Sequence, residues 1–312
     1  MSALNMYGLL WGDLPLSTGR VFWVAPASYT VAGKTYESSD NNDGLSPFRA
    51  LRTVNQAVTN ATADVGDNII IIGANTFTAT QTISKAGLKI FGLPGGYVNS
   101  QEHGTRTTRY TTTVTTSASA AVFTVTAART EIAFLHIVPV AGQAGIDLAA
   151  ADVNLHDLTW NISTAANTAT FGISVTGASA RPRIANNYVY VSDNQGPFLR
   201  CAAAAAGMDG GALIRSRIVL AGSTAWDDVV EITTGVDNFE IADTDFMCSS
   251  GALITTCVNV TGNTNDHGVR VMRCMHPVST TLTTATATSD IVLCNNYIAT
   301  IRGGTGGTLT TG

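Results

Sequence analysis

The stretch Val65-Gly66-Asp67-Asn68-Ile69-Ile70-Ile71-Ile72-Gly73 decides the fold of this 312-residue chain. Its four consecutive isoleucines are too few to span a membrane and too β-branched to favour a helix in water. A short uninterrupted apolar run is typical of a parallel strand that is buried on both faces. A second apolar stretch, Leu88-Lys89-Ile90-Phe91-Gly92, follows it. We therefore predict that a parallel sheet begins here.

Toward the C-terminus the same kind of unit returns about once every 20 to 30 residues, a period typical of solenoids. Each unit has apolar residues at i and i+2, then a small or polar residue, then another apolar one, which predicts a strand, a bend and the next strand. The clearest units are 132–137, 153–158, 184–189, 213–218, 239–244, 269–274 and 291–297. We expect the bend residues Asn186, Asn187, Asn295 and Asn296 to stack and to hydrogen-bond along the solenoid.

The composition limits the choice of partner. Hydrophobic residues make up 45% of the chain and charged residues 12%, with a net charge of -5. The chain has no cluster of Lys and Arg of the kind that binds a nucleic-acid backbone, because the nearest group, His103, Arg106 and Arg109, is interpreted as a solvated loop. We expect neither a nucleic-acid nor a membrane partner. The 45 threonines predict a weakly charged, Thr-rich surface that suits self-association.

The cysteines predict the compartment in which the chain folds. Their number is odd and their spacing is unpaired, which favours free, buried thiols in a reducing compartment. They are Cys201, Cys248, Cys257, Cys274 and Cys294. The first residues lack the basic start and apolar core of a signal peptide, so we expect folding in a cytoplasm.

Residues 1–20 are interpreted as an N-terminal arm. Large apolar side chains are crowded there without a sustained period, and they need a surface on which to be buried. They include Tyr7, Leu9, Leu10, Trp11 and Leu14. Two interpretations stay open: the arm folds back over its own domain, or it docks on a neighbouring subunit or a partner.

Residues 21–64 are interpreted as a strand, a loop and a capping helix. Residues 21–25 predict the strand. Ser46 and Pro47 predict the start of a helix that ends near Asn60 and that covers the open end of the solenoid. The solenoid itself is predicted over 65–301, with a loop expected at 97–119 and either a projecting loop or a β excursion at 279–289. A Gly/Thr tail follows at 302–312.

A family resemblance adds to this interpretation. The stretches 19–26, 42–47 and 66–71, with a short helix between the last two, resemble the start of right-handed parallel β-helix domains in the pectate-lyase-like superfamily. They are especially similar to the versions found in virion proteins of tailed bacteriophages. The resemblance covers roughly residues 19–95. It implies an all-β, right-handed parallel β-helix and a role among trimeric capsid decoration or cement proteins, tailspikes and fibres.

Catalysis on such a fold would need carboxylates with a base or an Arg on one outer face of adjacent coils. The candidate sets are Asp227, Asp228 and Glu231; Asp243 and Asp245; and His156 with Asp157. None carries a family motif, and we expect all of them to be structural. We likewise expect no cofactor and no metal, since the acidic stretch 39–44 does not fit an EF-hand loop.

The leading hypothesis is therefore a non-enzymatic phage structural protein. We expect a homotrimer on the outer capsid surface of the virion, with the major capsid protein as its partner and with Tyr7, Leu9, Leu10, Trp11 and Leu14 in contact with it. The alternative hypothesis is a tailspike-like or tail-fibre-like β-helix that binds or cleaves host surface polysaccharide.

Overall fold

The computed structural model describes eleven stretches of the chain: 19–93, 112–163, 169–192, 196–202, 207–221, 225–233, 236–248, 254–261, 268–277, 280–285 and 291–299. The predicted arm residues Tyr7, Leu9, Leu10, Trp11 and Leu14 and the predicted tail lie outside these stretches. Three parallel sheets, one antiparallel hairpin and one short helix make up the described part.

Sheet 1 has ten strands. They are β1 (Val21–Val24), β4 (Asn68–Ile71), β7 (Lys89–Gly92), β10 (Glu131–Ala133), β13 (Asn154–His156), β16 (Arg183–Ala185), β19 (Ala212–Ile214), β22 (Phe239–Ala242), β25 (Val269–Met272) and β28 (Ile291–Cys294). Sheet 2 has nine strands. They are β5 (Asn75–Phe77), β8 (Thr113–Thr116), β11 (His136–Ile137), β14 (Thr159–Ser163), β17 (Tyr188–Ser192), β20 (Arg217–Leu220), β23 (Asp245–Cys248), β26 (Met275–Pro277) and β29 (Tyr297–Ala299).

Sheet 3 has eight strands. They are β6 (Gln81–Ile83), β9 (Phe123–Val125), β12 (Ala144–Leu148), β15 (Phe171–Val175), β18 (Leu199–Cys201), β21 (Trp226–Ile232), β24 (Ile254–Val260) and β27 (Thr281–Ala285). The hairpin consists of β2 (Ser28–Val31) and β3 (Lys34–Glu37), and the helix is α1 (Val54–Asn60).

The chain passes through sheets 1, 2 and 3 in turn, and strands of successive coils pair in parallel within each sheet. This is a parallel β-helix, as predicted. Each of the seven predicted strand-bend-strand units contains a sheet 1 strand, or most of one, and the bend after it. Four of them reach the following sheet 2 strand, and the units 153–158, 239–244 and 269–274 end one residue before it. The loop predicted at 97–119 is partly wrong, because β8 lies within it. Within 279–289 the structure has β27, which agrees with the second of the two alternatives for that stretch.

The isoleucine run is buried on both faces, as predicted. On its inward face Ile69 pairs with Phe22 and Ile90, in the column of apolar side chains that fills the β-helix. On its outward face Ile70 pairs with Trp23. Those two side chains pack in a second apolar cluster with residues of the hairpin, so the hairpin acts as a lid over the first coils of sheet 1.

The corner from sheet 1 to sheet 2, here called corner 1–2, turns at one residue with positive φ in each coil. The residues are Phe134, Asp157, Asn186, Arg215, Asp243, Arg273 and Asn295. The next side chain points inward, and Asn187 and Asn296 take this position. Asn187 donates to the carbonyl of Leu155 in the preceding coil over 3.4 Å, and Asn296 accepts from the amide of Cys274 in the preceding coil over 2.9 Å. Stacking hydrogen bonds are thus confirmed for these two asparagines.

The helix begins later than predicted, at Val54 instead of Ser46. Leu51 forms a parallel bridge with Val24, which holds the chain extended up to that point. Thr53 is the N-cap, and its hydroxyl accepts a hydrogen bond from the amide of Gln56 over 3.1 Å. The predicted end near Asn60 is correct. Val54, Ala57 and Val58 pack into the core at this end of the β-helix.

All five cysteines are free. Cys201, Cys257 and Cys274 are buried as predicted, while Cys248 is half-buried and Cys294 is exposed. Among the helices of the described residues, none has both the length and the apolar composition needed to cross a membrane.

Candidate functional site

The first candidate pair, His156 and Asp157, belongs to a network on the outer face of sheet 1. The imidazole donates from Nδ1 to Asp157 Oδ2 over 2.8 Å and from Nε2 to Glu131 Oε1 over 2.9 Å. Lys89 Nζ lies 3.2 Å from Glu131 Oε2. The parallel register creates this network, since Lys89 and Glu131 are paired residues of β7 and β10.

Electrostatics fix the protonation of this network. Burial alone would lower the pKa of His156, but the hydrogen bonds and charges of Asp157 and Glu131 outweigh burial and raise the pKa to about 9. Burial would raise the pKa of Glu131, yet His156 and Lys89 hold it below its usual value. Near neutral pH His156 is therefore an imidazolium with both N–H groups engaged. It has no lone pair with which to act as a base.

The two carboxylates of the second candidate pair, Asp243 and Asp245, face different arginines. Asp243 stands at corner 1–2, where Arg273 of the next coil approaches its carboxylate over 2.6 Å and 2.9 Å. This guanidinium lowers the pKa of Asp243. Asp245 begins β23 on sheet 2, where burial raises the pKa of its carboxyl group and Arg217 opposes the rise. The two carboxylates thus lie on different parts of the coil, each opposite its own arginine.

Similar ion pairs join coils at the corner from sheet 3 to sheet 1, here called corner 3–1. Arg129 lies 2.7 Å from Asp64. Arg181 approaches Asp152 through two nitrogens, over 2.7 Å and 2.9 Å. Each guanidinium thus meets a carboxylate from an earlier coil, so these charges link coils.

The third candidate set lies on the outer face of sheet 3. Eight paired residues of successive strands form an outward polar row, here called the sheet 3 row. Its members are Thr82, Thr124, Asp147, Ser174, Arg200, Glu231, Asn259 and Thr284. Within this row Arg200 Nε lies 3.2 Å from Glu231 Oε2. Asn259 of the row donates to Oδ2 of Asp228, which lies beside the row, over 2.8 Å.

The carboxyl groups in and beside this row have different surroundings. Burial raises the pKa of Asp228, with the neighbouring charge of Asp227 adding to the rise and Asn259 opposing it. Burial also raises the pKa of Asp147. Glu231 is paired with Arg200, whose guanidinium also lies 5.0 Å from the ring centroid of Phe171. Carboxyl groups and an arginine therefore share one outer face of adjacent coils.

Sequence reasoning named Asp228 and Glu231 but missed Arg200, Asn259 and Asp147. It also missed Glu131 as a partner of His156 and Lys89 as a partner of Glu131. The missing signal is register: Arg200, Asn259 and Asp147 stand in the same row as Glu231, and Lys89 stands at the position of Glu131. Counting from each buried side chain within a strand would have aligned them. Among the described residues, no group of three or more His, Cys, Asp or Glu side chains is placed to hold a metal ion.

No protein-family model matches the sequence, and no curated protein matches it either. Solved structures do resemble the fold. A pectin methylesterase in complex with a hexasaccharide is similar with a TM-score of 0.55 at 9% identity, over 92% of this chain and 90% of that one. A pectin methylesterase from Aspergillus niger gives 0.54 at 12% identity, over 92% and 88%.

A pectate lyase gives a TM-score of 0.53 at 12% identity, over 92% of this chain and 78% of that one. At such low identity the likeness concerns the fold alone. The chain has the parallel β-helix fold that this pectate lyase and these pectin methylesterases share.

Proposed function

We propose that this chain is a non-enzymatic structural protein of a tailed-bacteriophage virion, and more narrowly a decoration or cement protein that binds the outer capsid surface as a homotrimer. The observation that carries the proposal is how the ionisable side chains are used. In the His156 network and in the Asp152–Arg181 and Asp243–Arg273 pairs, they join one coil to the next.

The sequence of residues 19–95 supports the placement in a virion, because this is the region that resembles β-helix domains of phage virion proteins. A cement protein needs a stiff body and a large contact area, since it stabilises a shell by bridging neighbouring subunits without chemistry. A β-helix with paired charges and a Thr-rich surface meets that need. The partner is then the major capsid protein.

Binding to particles tests this proposal. Purified protein and a variant that lacks residues 1–18 are each mixed with particles of the encoding phage from which the protein has been removed, and are then sedimented. We expect the full chain to sediment with the shells and the shortened variant to stay oligomeric in the supernatant. A full chain that does not bind the shells contradicts the proposal. Unfolding of the variant would instead assign the arm to the core.

A second candidate function rests on the sheet 3 row. Asp228, Glu231 and Arg200 meet part of the requirement for binding or cleaving a polysaccharide on an outer face. The structural neighbours include a pectin methylesterase bound to a hexasaccharide, which is consistent with this candidate.

Turnover separates the two candidates. Purified protein is incubated with host capsule or lipopolysaccharide, and released oligosaccharide is measured. Steady release that falls in Glu231→Gln and Arg200→Ala, but not in the sheet 2 control Arg217→Ala, would establish the enzyme and remove the cement proposal. Binding to a glycan array without release would favour a fibre segment instead.

A further inference from the structure

Charges of opposite sign lie on different sides of the β-helix. From Arg183 to Ala299, sheet 1 and corner 1–2 carry four described arginines and two described acids, a net charge of +2. They are Arg183, Arg215, Glu240, Asp243, Arg270 and Arg273. We call this the basic side.

Sheet 3 and corner 3–1 carry five described acids and one described arginine over the same coils, a net charge of -4. They are Arg200, Asp209, Asp227, Asp228, Glu231 and Asp237. We call this the acidic side. Sheet 2 carries Arg217 and Asp245, which balance. The net charge of the fourteen described ionisable side chains of these coils thus differs in sign between the two sides.

The basic side also carries an apolar stripe between its charged columns. One outward register position of sheet 1 holds Ala185, Ile214, Ala242, Met272 and Cys294. In the first coils the same position holds Trp23 and Ile70, which the hairpin covers. Beyond the hairpin, Ile214 and Met272 are half-buried and Cys294 is exposed, so these three side chains form the accessible part of the stripe, whereas Ala185 and Ala242 are buried. An apolar stripe flanked by charges is the usual composition of a protein–protein contact.

We propose that the basic side of one copy of this chain packs against the acidic side of a second copy. The contact is heterologous, since two different faces of the same chain meet, and such contacts close into rings when the rotation between copies permits it. In this arrangement the outer face of sheet 3 of the second copy covers the apolar stripe. Charge complementarity selects this pairing over pairing of like faces, because opposed like charges disfavour the latter.

This inference deepens the proposed function, on which it partly rests, by naming the faces that form the oligomer. It predicts a salt-dependent self-association, since much of the attraction is between exposed charges. Arg183, Arg215, Asp209 and Asp227 are exposed in the single chain, so they can be changed without opening the core.

The test is a charge-reversal cycle followed by sedimentation equilibrium. One variant carries Arg183→Glu and Arg215→Glu, a second carries Asp209→Arg and Asp227→Arg, and a third carries all four changes. Lys34→Glu with Arg49→Glu is the control: it makes the same change in net charge as the first variant, in the hairpin and the segment after it at the N-terminal end of sheet 1, away from the coils that carry the two sides. Circular dichroism checks that each variant keeps the β-sheet signal of the parent chain.

We expect each two-residue reversal to weaken self-association by about tenfold or more, and the four-residue variant to regain the parent affinity to within about threefold. The control should associate like the parent chain. A four-residue variant that is no stronger than either reversal, reversals without effect, or a monomeric parent chain would overturn the inference. Particle binding is measured separately, so the virion role can fail while this contact holds.

Discussion

At the scale of single residues, the described structure places polar groups where they link coils. His156 connects Glu131 of the preceding coil with Asp157 of its own coil, and Phe134 packs edge-on against its ring with centroids 5.8 Å apart. The side chain of His156 is only 16% exposed, which limits screening by water. His156 therefore links two coils through two hydrogen bonds, an arrangement that we call the His156 clamp.

The clamp makes stability depend on pH. Because the pKa of His156 is raised to about 9 in the folded chain, its stabilisation is fully present below an unfolded-state pKa of about 6.5 and is lost as the pH rises through 9. We expect the free energy of unfolding, measured by chemical denaturation, to fall by up to about 3 kcal/mol between pH 7 and pH 10. In His156→Gln the free energy of unfolding should change less between pH 7 and pH 10 than it does in the parent chain. Equal slopes in both proteins would refute the clamp.

Gly92 gives a second prediction at this scale. A Cβ atom at this position, the last of β7, would collide with the backbone carbonyl of Phe134 in the next coil. Gly92→Ala should therefore cost about 3 kcal/mol or more, since backbone cannot move aside cheaply. Gly33→Ala is the matched control: the added Cβ meets open space, and only the positive φ costs about 1–2 kcal/mol. Chemical denaturation measures both, and similar losses would contradict the close packing of these coils.

At the scale of elements, the sequence predicts strands well because inward-facing side chains repeat once per coil. The unit 184–189 contains the last two residues of β16, the corner residue Asn186 and the start of β17, as predicted. The start of the helix could not be predicted, because a tertiary contact decides it. The amide of Leu51 donates a hydrogen bond to the carbonyl of Trp23 over 2.8 Å, and this bond cannot be inferred from local helix propensity.

Only part of the candidate site could be predicted, for the same reason. The sequence pointed to Glu231 but not to Arg200, because the two are brought together by the register of β18 and β21.

The helix α1 should cover the N-terminal end of the core. Ala57 is fully buried among core side chains, whereas Thr59 on the opposite face is exposed. Ala57→Asp should cost about 4 kcal/mol, because it buries an unpaired charge. Thr59→Asp should change the thermal midpoint little. Equal tolerance of both changes would show that the helix does not close the stack.

At the scale of the whole molecule, the two ends of the β-helix differ. Leu293 pairs with Val271 in the inward column, yet it is 52% exposed, whereas Val271 is fully buried. In a solenoid each coil is stabilised mainly by its neighbours. The coil that contains β28 and β29 therefore has the weakest local support among the described coils.

Amide hydrogen exchange should reveal this difference in local support between coils. We expect the amides of β28 and β29 to exchange fastest among the described strands and those of β13 and β16 to exchange slowest, because opening frays inward from the less supported end. Mass spectrometry of peptic fragments measures it. Uniform protection along the stack, or slowest exchange at β28, would show that the last coil is supported by something else.

Cryo-electron microscopy of the virion tests the central claim most directly, that this β-helix is a structural protein bound to the outer shell. The account predicts three-sided rods with coils about 4.8 Å apart, grouped around threefold axes on the outer capsid surface. The basic side of each rod should face the acidic side of the next. A bare shell with such rods only on the tail, or a virion without them, would contradict the account.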